Sequence, residues 1–144
     1  MRDSQTFFSQ AQQVLASAQS TNVIDLADPN HQIGLAVKRA RLRVRINTAF
    51  SGSLTSMTFA LQDSLSGGGS FANTQIVLSS VLKAKLLAGA DVLNVDLPVT
   101  GGIGQIGGGQ YPNTSPLRRF IAMQYTLNGG AAAAGKVDAW LDVD

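Results

Sequence analysis

From Leu35 to Asn47 apolar and polar residues alternate, with Ala40, Leu42, Val44 and Ile46 interleaved with Arg39, Arg41, Arg43 and Arg45. A period of two with β-branched residues marks a half-buried strand, because successive side chains point to opposite faces. Thr55–Gln62 alternates in the same way, with Met57, Phe59 and Leu61 on one face. Further strands are expected at Val23–Leu26, Thr74–Ser80, Lys83–Leu87, Val92–Leu97, Arg118–Leu127 and Lys136–Val143. In the last of these, Val137, Ala139, Leu141 and Val143 share one face, opposite Asp138, Trp140, Asp142 and Asp144. Turn signals separate the segments: Asp28-Pro29-Asn30, the Gly/Ser run after Ser64, Ala88-Gly89, and Asn128-Gly129-Gly130 with the alanines that follow. About seven or eight short strands at this spacing predict an all-β fold, an antiparallel β-sandwich or jelly-roll-like domain over 21–144. Nothing alternates strand with helix as a parallel α/β sheet requires.

Two segments fall outside this pattern. In residues 1–20, Phe7, Ala11, Val14, Leu15 and Ala18 fit a helical stripe, yet the Ser, Gln and Thr content equally suits an extended N-terminal arm on a neighbour. Residues 98–116 are Gly-rich, carry three of the four prolines, and are expected to be one long loop. Loops of that length in compact domains are uncommon and tend to be functional or mobile.

Composition sharpens the β reading. All nine acidic residues are Asp, a poor helix former, and Glu is absent. The net charge is only +2, so the chain as a whole is no polycation. No Cys is present, which excludes disulfides, thiolate metal sites and Cys nucleophiles. No apolar run approaches the ~20 residues that span a bilayer. The opening MRDSQTFFSQ lacks the apolar core of a signal peptide, implying a protein made without export.

Candidate chemistry is thin. Gly102-Ile-Gly104-Gln-Ile-Gly107 matches a dinucleotide-binding spacing, but Gly108 to Pro116 cannot begin the helix that would hold the pyrophosphate. His31 is the only histidine, and proximity in sequence to Asp25 and Asp28 does not supply a catalytic triad. One His and no Cys argue against zinc, and no calcium-loop pattern occurs. Asp138, Asp142 and Asp144 on a solvated face do not resemble the cleft pair of a glycosidase. No catalytic, cofactor or metal residue is assigned.

The Arg row is the feature most in need of an account, since five of the eleven basic residues lie between Lys38 and Arg45. Four arginines on one strand face repel unless acids lie opposite. The Asp row of the final strand could pair with them, within one subunit or between subunits. Alternatively the row is a docking strip for another protein. Nucleic acid is disfavoured, because the row lacks interleaved aromatics and the chain is nearly neutral. Trp140 shares the Asp face, and marks either a contact or packing under the long loop.

The order of features resembles a known family. The opening QTFFSQAQQVLASAQSTNVIDL, the central MTFALQDSLSGGGSF, the segment LLAGADVLNVDLP and the closing LRRFIAMQYTLNGGAAAAGKVDAWLDVD are similar to the capsid cement (decoration) proteins of tailed double-stranded DNA bacteriophages, typified by a Bordetella phage. The resemblance implies a jelly-roll-like domain without catalysis that forms a homodimer or homotrimer. It further implies attachment to the major capsid protein on the outer capsid surface of the virion, bridging capsomers against the pressure of packaged DNA. The Gly-rich stretch Gly101–Pro116 looks longer than that family's pattern. On this reading the expected protein contacts are Phe7, Phe8, Arg39, Arg41, Arg43, Arg45, Tyr111 and Trp140. The alternatives are a tail or head-fibre component, or a carbohydrate-binding β-sandwich module, for which nine aromatics are few.

Overall fold

A computed structural model describes residues 7–25, 40–64, 71, 73–96, 104–106, 109–111 and 120–143. Among the described residues eleven strands follow in order: β1 (Phe7–Gln13), β2 (Ala18–Gln19), β3 (Ile24–Asp25), β4 (Ala40–Gly52), β5 (Ser56–Ser64), β6 (Asn73–Leu82), β7 (Asp91–Asp96), β8 (Gly104–Ile106), β9 (Gly109–Tyr111), β10 (Phe120–Asn128) and β11 (Ala132–Val143). They build two antiparallel sheets. One has the order β1-β11-β4-β7; the other runs β2-β10-β5-β6-β9-β8, with β3 also paired to β10. The fold is the all-β sandwich expected from the alternation.

Period-two alternation places the core between the sheets. Leu42, Val44 and Ile46 of β4 meet Phe59 and Leu61 of β5, Ile121, Met123 and Tyr125 of β10, and Val137, Ala139 and Leu141 of β11 in one cluster of buried side chains. All eleven of these side chains are fully buried. Phe59 and Tyr125 meet edge-on at 5.9 Å between ring centroids, a geometry favoured by the ring quadrupoles.

Over residues 7–20, the described part of the N-terminal segment, the helical alternative does not form. Residues 7–13 are the edge strand β1, paired to β11 from Phe7↔Trp140 to Gln13↔Lys136. A bulge explains why the segment mimics a helical stripe. Ala11 sits at φ 49, and the register slips between Ser9 and Gln12, so the alternation breaks there. The Ala11 backbone N–H donates to Asp138 Oδ1 at 2.6 Å, which fixes the bulge.

Two other expectations change. Lys83–Lys85 is a single 3-10 turn, not a strand. Within the stretch expected to be loop, Gly104–Ile106 and Gly109–Tyr111 form the hairpin β8–β9, whose Gln110 pairs with Val77 on the rim of β6. The glycine-rich match to a dinucleotide site therefore contributes a strand at 104–106, where that site needs a helix. His31 lies outside the described residues.

A polar link ties the sheets together. The Tyr125 hydroxyl on β10 lies 2.7 Å from Ser9 Oγ on β1 in a buried hydrogen bond. Ser9 donates onward to Gln12 Oε1 at 2.5 Å, so the Tyr125 hydroxyl is the donor to Ser9. Gln12 Oε1 also accepts the Thr21 N–H at 2.9 Å, and Gln12 Nε2 donates to the Gln19 carbonyl at 3.0 Å. Desolvation of this buried phenol pushes its pKa well above the usual tyrosine range, and the bond to Ser9 offsets only part of that.

Candidate functional site

The outer face of the β1-β11-β4-β7 sheet carries the Arg row. With Leu42, Val44 and Ile46 committed to the core, Arg41, Arg43 and Arg45 must face outward. The register sets acids on both flanks. Toward β11, Arg41 lies opposite Asp142, Arg43 opposite Trp140 and Arg45 opposite Asp138. Toward β7, Arg41 lies opposite Asp96, Arg43 opposite Asn94 and Arg45 opposite Asp91.

Contacts follow the register. Arg45 Nε donates to Asp91 Oδ1 at 3.0 Å. Arg41 Nε lies 3.5 Å from Asp96, and Arg43 bridges outward to Asp142 at 3.6 Å and Asp91 at 3.9 Å. The hydrogen bond to Asp91 and its negative charge, with a lesser pull from Asp138, raise the Arg45 pKa above the ordinary guanidinium value. Three described arginines thus stand among four aspartates, and the face carries no excess of positive charge. Exposed pairs of this kind add little to stability, but they remove the repulsion that a bare Arg row would carry.

Trp140 sits in the middle of this face and is fully buried. Phe7 covers it at 6.0 Å between ring centroids, and the Arg43 guanidinium carbon lies 5.4 Å from its ring centroid, a cation–π arrangement. The Arg43 Nε is buried and makes no hydrogen bond among the described residues, consistent with a guanidinium held over the ring.

The residues expected to make contacts separate into different environments. Arg41, Arg43 and Arg45 come together with Phe7 and Trp140 in one outer-face cluster. Phe8 does not join them: Phe7 and Phe8 point to opposite faces of β1, and Phe8 is fully buried in the core. Phe8 and Trp140 are therefore not presented as surface anchors. Arg39 and the Tyr111 side chain lie outside the described residues, and so does Asp144. No group of three or more His, Cys, Asp or Glu among the described residues is placed to hold a metal ion. No described helix is long and apolar enough to cross a membrane.

Sequence reading offered Arg–Asp pairing with the last strand as one alternative, which Arg43–Asp142 fits, and missed Asp91 and Asp96. Nothing local says which strand forms the other neighbour of β4, so their pairing could not be read from spacing. A second surface also escaped it. One end of the sandwich gathers the 14–17, 52–55, 82–90 and 128–131 connections, and hydrogen bonds join them. Ser53 N–H donates to the Ala131 carbonyl at 3.1 Å, Thr55 N–H to Asn128 at 2.8 Å, Lys83 N–H to Thr55 at 3.0 Å and Ala132 N–H to Leu15 at 3.0 Å. The Lys83 ammonium donates to the Gly52 carbonyl at 3.0 Å.

Comparison with known proteins gives a family match. The model of the Bbp16 family covers residues 8–141, nearly the whole sandwich, and the family name points to a phage protein. No curated protein matches the chain.

Proposed function

This chain belongs to the Bbp16 family, and from that premise we propose that it is a structural virion protein. On this reading it binds the outside of a phage capsid and stabilises the shell by bridging subunits of the major capsid protein. It acts as a homo-oligomer, and it is a binding protein rather than an enzyme. The observation that carries the reading is the family match over 8–141, together with the resemblance of the same segments to capsid cement proteins.

The physical character of the sandwich supports it. The most prominent charged feature, the Arg row, is taken up by Asp91, Asp96 and Asp142 of the same sheet. The buried Tyr125–Ser9 pair fastens one sheet to the other. Such internal cross-bracing suits a clamp that must keep its shape under load. A protein of this kind needs only modest affinity per subunit, because an oligomer engages several shell sites at once.

The test is co-sedimentation of the purified protein with capsids stripped of it, across a salt series. Saturable binding at a fixed ratio to the shell is expected. Failure to bind at any salt concentration would refute the reading and favour a tail or fibre role.

A further inference from the structure

Which part of the sandwich meets the shell is a separate question, and the charge distribution bears on it. The Arg row is the obvious candidate from sequence, yet its charge is met by aspartates on both flanks. Among the described residues, a group of lysines in connections that hold no acidic residue lies elsewhere. Residues 14–17, 52–55, 82–90 and 128–136, which make up the four-connection end and the start of β11, contain no acidic residue and carry Lys83, Lys85 and Lys136. Asp91, next in the chain, is engaged by Arg45 at 3.0 Å.

Apolar exposure is concentrated at the same end. Among the described residues three large apolar side chains are exposed: Leu15 at 38%, Leu82 at 57% and Leu87 at 57%. All three belong to these connections, although isolated exposed leucines would ordinarily be scattered. Leu82 and Leu87 flank the Lys83–Lys85 turn, and Leu86 between them is fully buried. Leu86 also anchors the turn through its carbonyl, which accepts the Phe50 N–H at 3.0 Å. An open groove of about 410 Å³ adjoins the turn, lined by Leu78, Val81, Leu82 and Val92, with Lys85 and Asp91 also on its wall. The hydrogen bonds that join the four connections hold these groups in place before any partner arrives, which lowers the ordering cost of binding.

We propose that this end, with Leu82, Leu87 and Lys85 at its centre, is the docking surface for the major capsid protein, and that it meets an acidic segment bearing an exposed apolar side chain. The inference rests on the capsid-binding reading above and adds the face and the partner chemistry to it. Lysines beside apolar groups fit a carboxylate-rimmed apolar knob. The leucines would gain nothing from a phosphate backbone, so the surface favours protein over nucleic acid.

Two variants test it in the same co-sedimentation assay: Leu82→Ser with Leu87→Ser, and separately Lys85→Glu. Both replace exposed side chains, and unchanged thermal unfolding checks that the fold is intact. Each is expected to weaken capsid binding by about tenfold or more, while Arg41→Ser with Asp96→Ser stays within about twofold of the parent. Parent binding with both end variants unimpaired would overturn the docking surface and leave the capsid-binding reading standing. Loss of binding by the Arg41/Asp96 variant alone would move the surface to the Arg face. A parent protein that ignores capsids removes both proposals. Retention on duplex DNA or anionic vesicles, lost in the end variants, would overturn the protein partner in favour of that ligand.

Discussion

The buried Tyr125–Ser9 pair predicts an unequal response to removing its two members. Tyr125→Phe deletes the donor; Ser9 keeps its bond to Gln12 and loses only one accepted hydrogen bond. A net loss of about 1 kcal/mol is expected, the usual worth of one intramolecular hydrogen bond. Ser9→Ala is different, because it leaves the phenol hydroxyl stranded between the sheets and also releases Gln12. Leaving a buried polar group unsatisfied costs about 1–3 kcal/mol, so Ser9→Ala is expected to lose about 2–3 kcal/mol. In the double variant the stranded hydroxyl is gone, and the total should lie below that of Ser9→Ala alone or close to it. The cycle therefore has a coupling of about 1 kcal/mol or more, with the double variant more stable than additivity allows. Urea denaturation followed by Trp140 fluorescence measures all four proteins. Equal single effects that simply add would refute the argument, because they would mean that the two groups do not rely on each other.

Other expectations follow from the same structure. Because the folded pKa of Tyr125 is raised, its contribution is intact below the unfolded value of about 10, and the unfolded chain loses the proton first above it. Stability should fall as pH rises past that point, and a denaturation series in which Tyr125→Phe falls equally would contradict this. Gly135→Ala should cost about 2–4 kcal/mol, since Gly135 has φ 152 and an added Cβ would overlap the buried Phe50 ring; an unchanged melting temperature would count against it. Ala11→Gly should be neutral or stabilising by up to about 1 kcal/mol, because Ala11 already occupies the left-handed region; a clear loss in urea would contradict that assignment. Trp140, the sole tryptophan, should emit at short wavelength and resist iodide quenching, and Arg43→Ala should increase quenching by removing one of its covers.

Much of the sandwich was legible from alternation alone. β4, β5, β10 and β11, each nine or more residues long, carry apolar residues at period two over part of their length, and each forms near its expected place. The shortfalls share a physical cause: they depend on contacts distant in sequence or on single-residue irregularities. The bulge at Ala11 adds one residue to β1, and a period of two then reads as something close to a helical period. Lys83–Leu87 looks strand-like, but the turn is set by Leu86 anchoring to Phe50, thirty-six positions earlier. Trp140 lies on the polar face of its strand, where sequence leaves both a contact and packing under the long loop open. Its burial comes from Phe7, which reaches it only because β1 pairs with β11. The Arg row was legible as an alternation and half legible as a ladder. Its acidic partners on β7 required the strand order.

Pairing β1 with β11 has a mechanical consequence. The two strands run antiparallel, with Phe7 opposite Trp140, so a tension applied through residues 7 and 143 would enter neighbouring strands at the same end. Ladder hydrogen bonds lie across the strands, and such a pull would break them one after another, as in opening a zipper. A force running from the four-connection end to the opposite end of the sandwich would instead lie along the strands and load whole ladders at once. The molecule is thus anisotropic in strength: weak when peeled from its first strand, strong when stretched along its length.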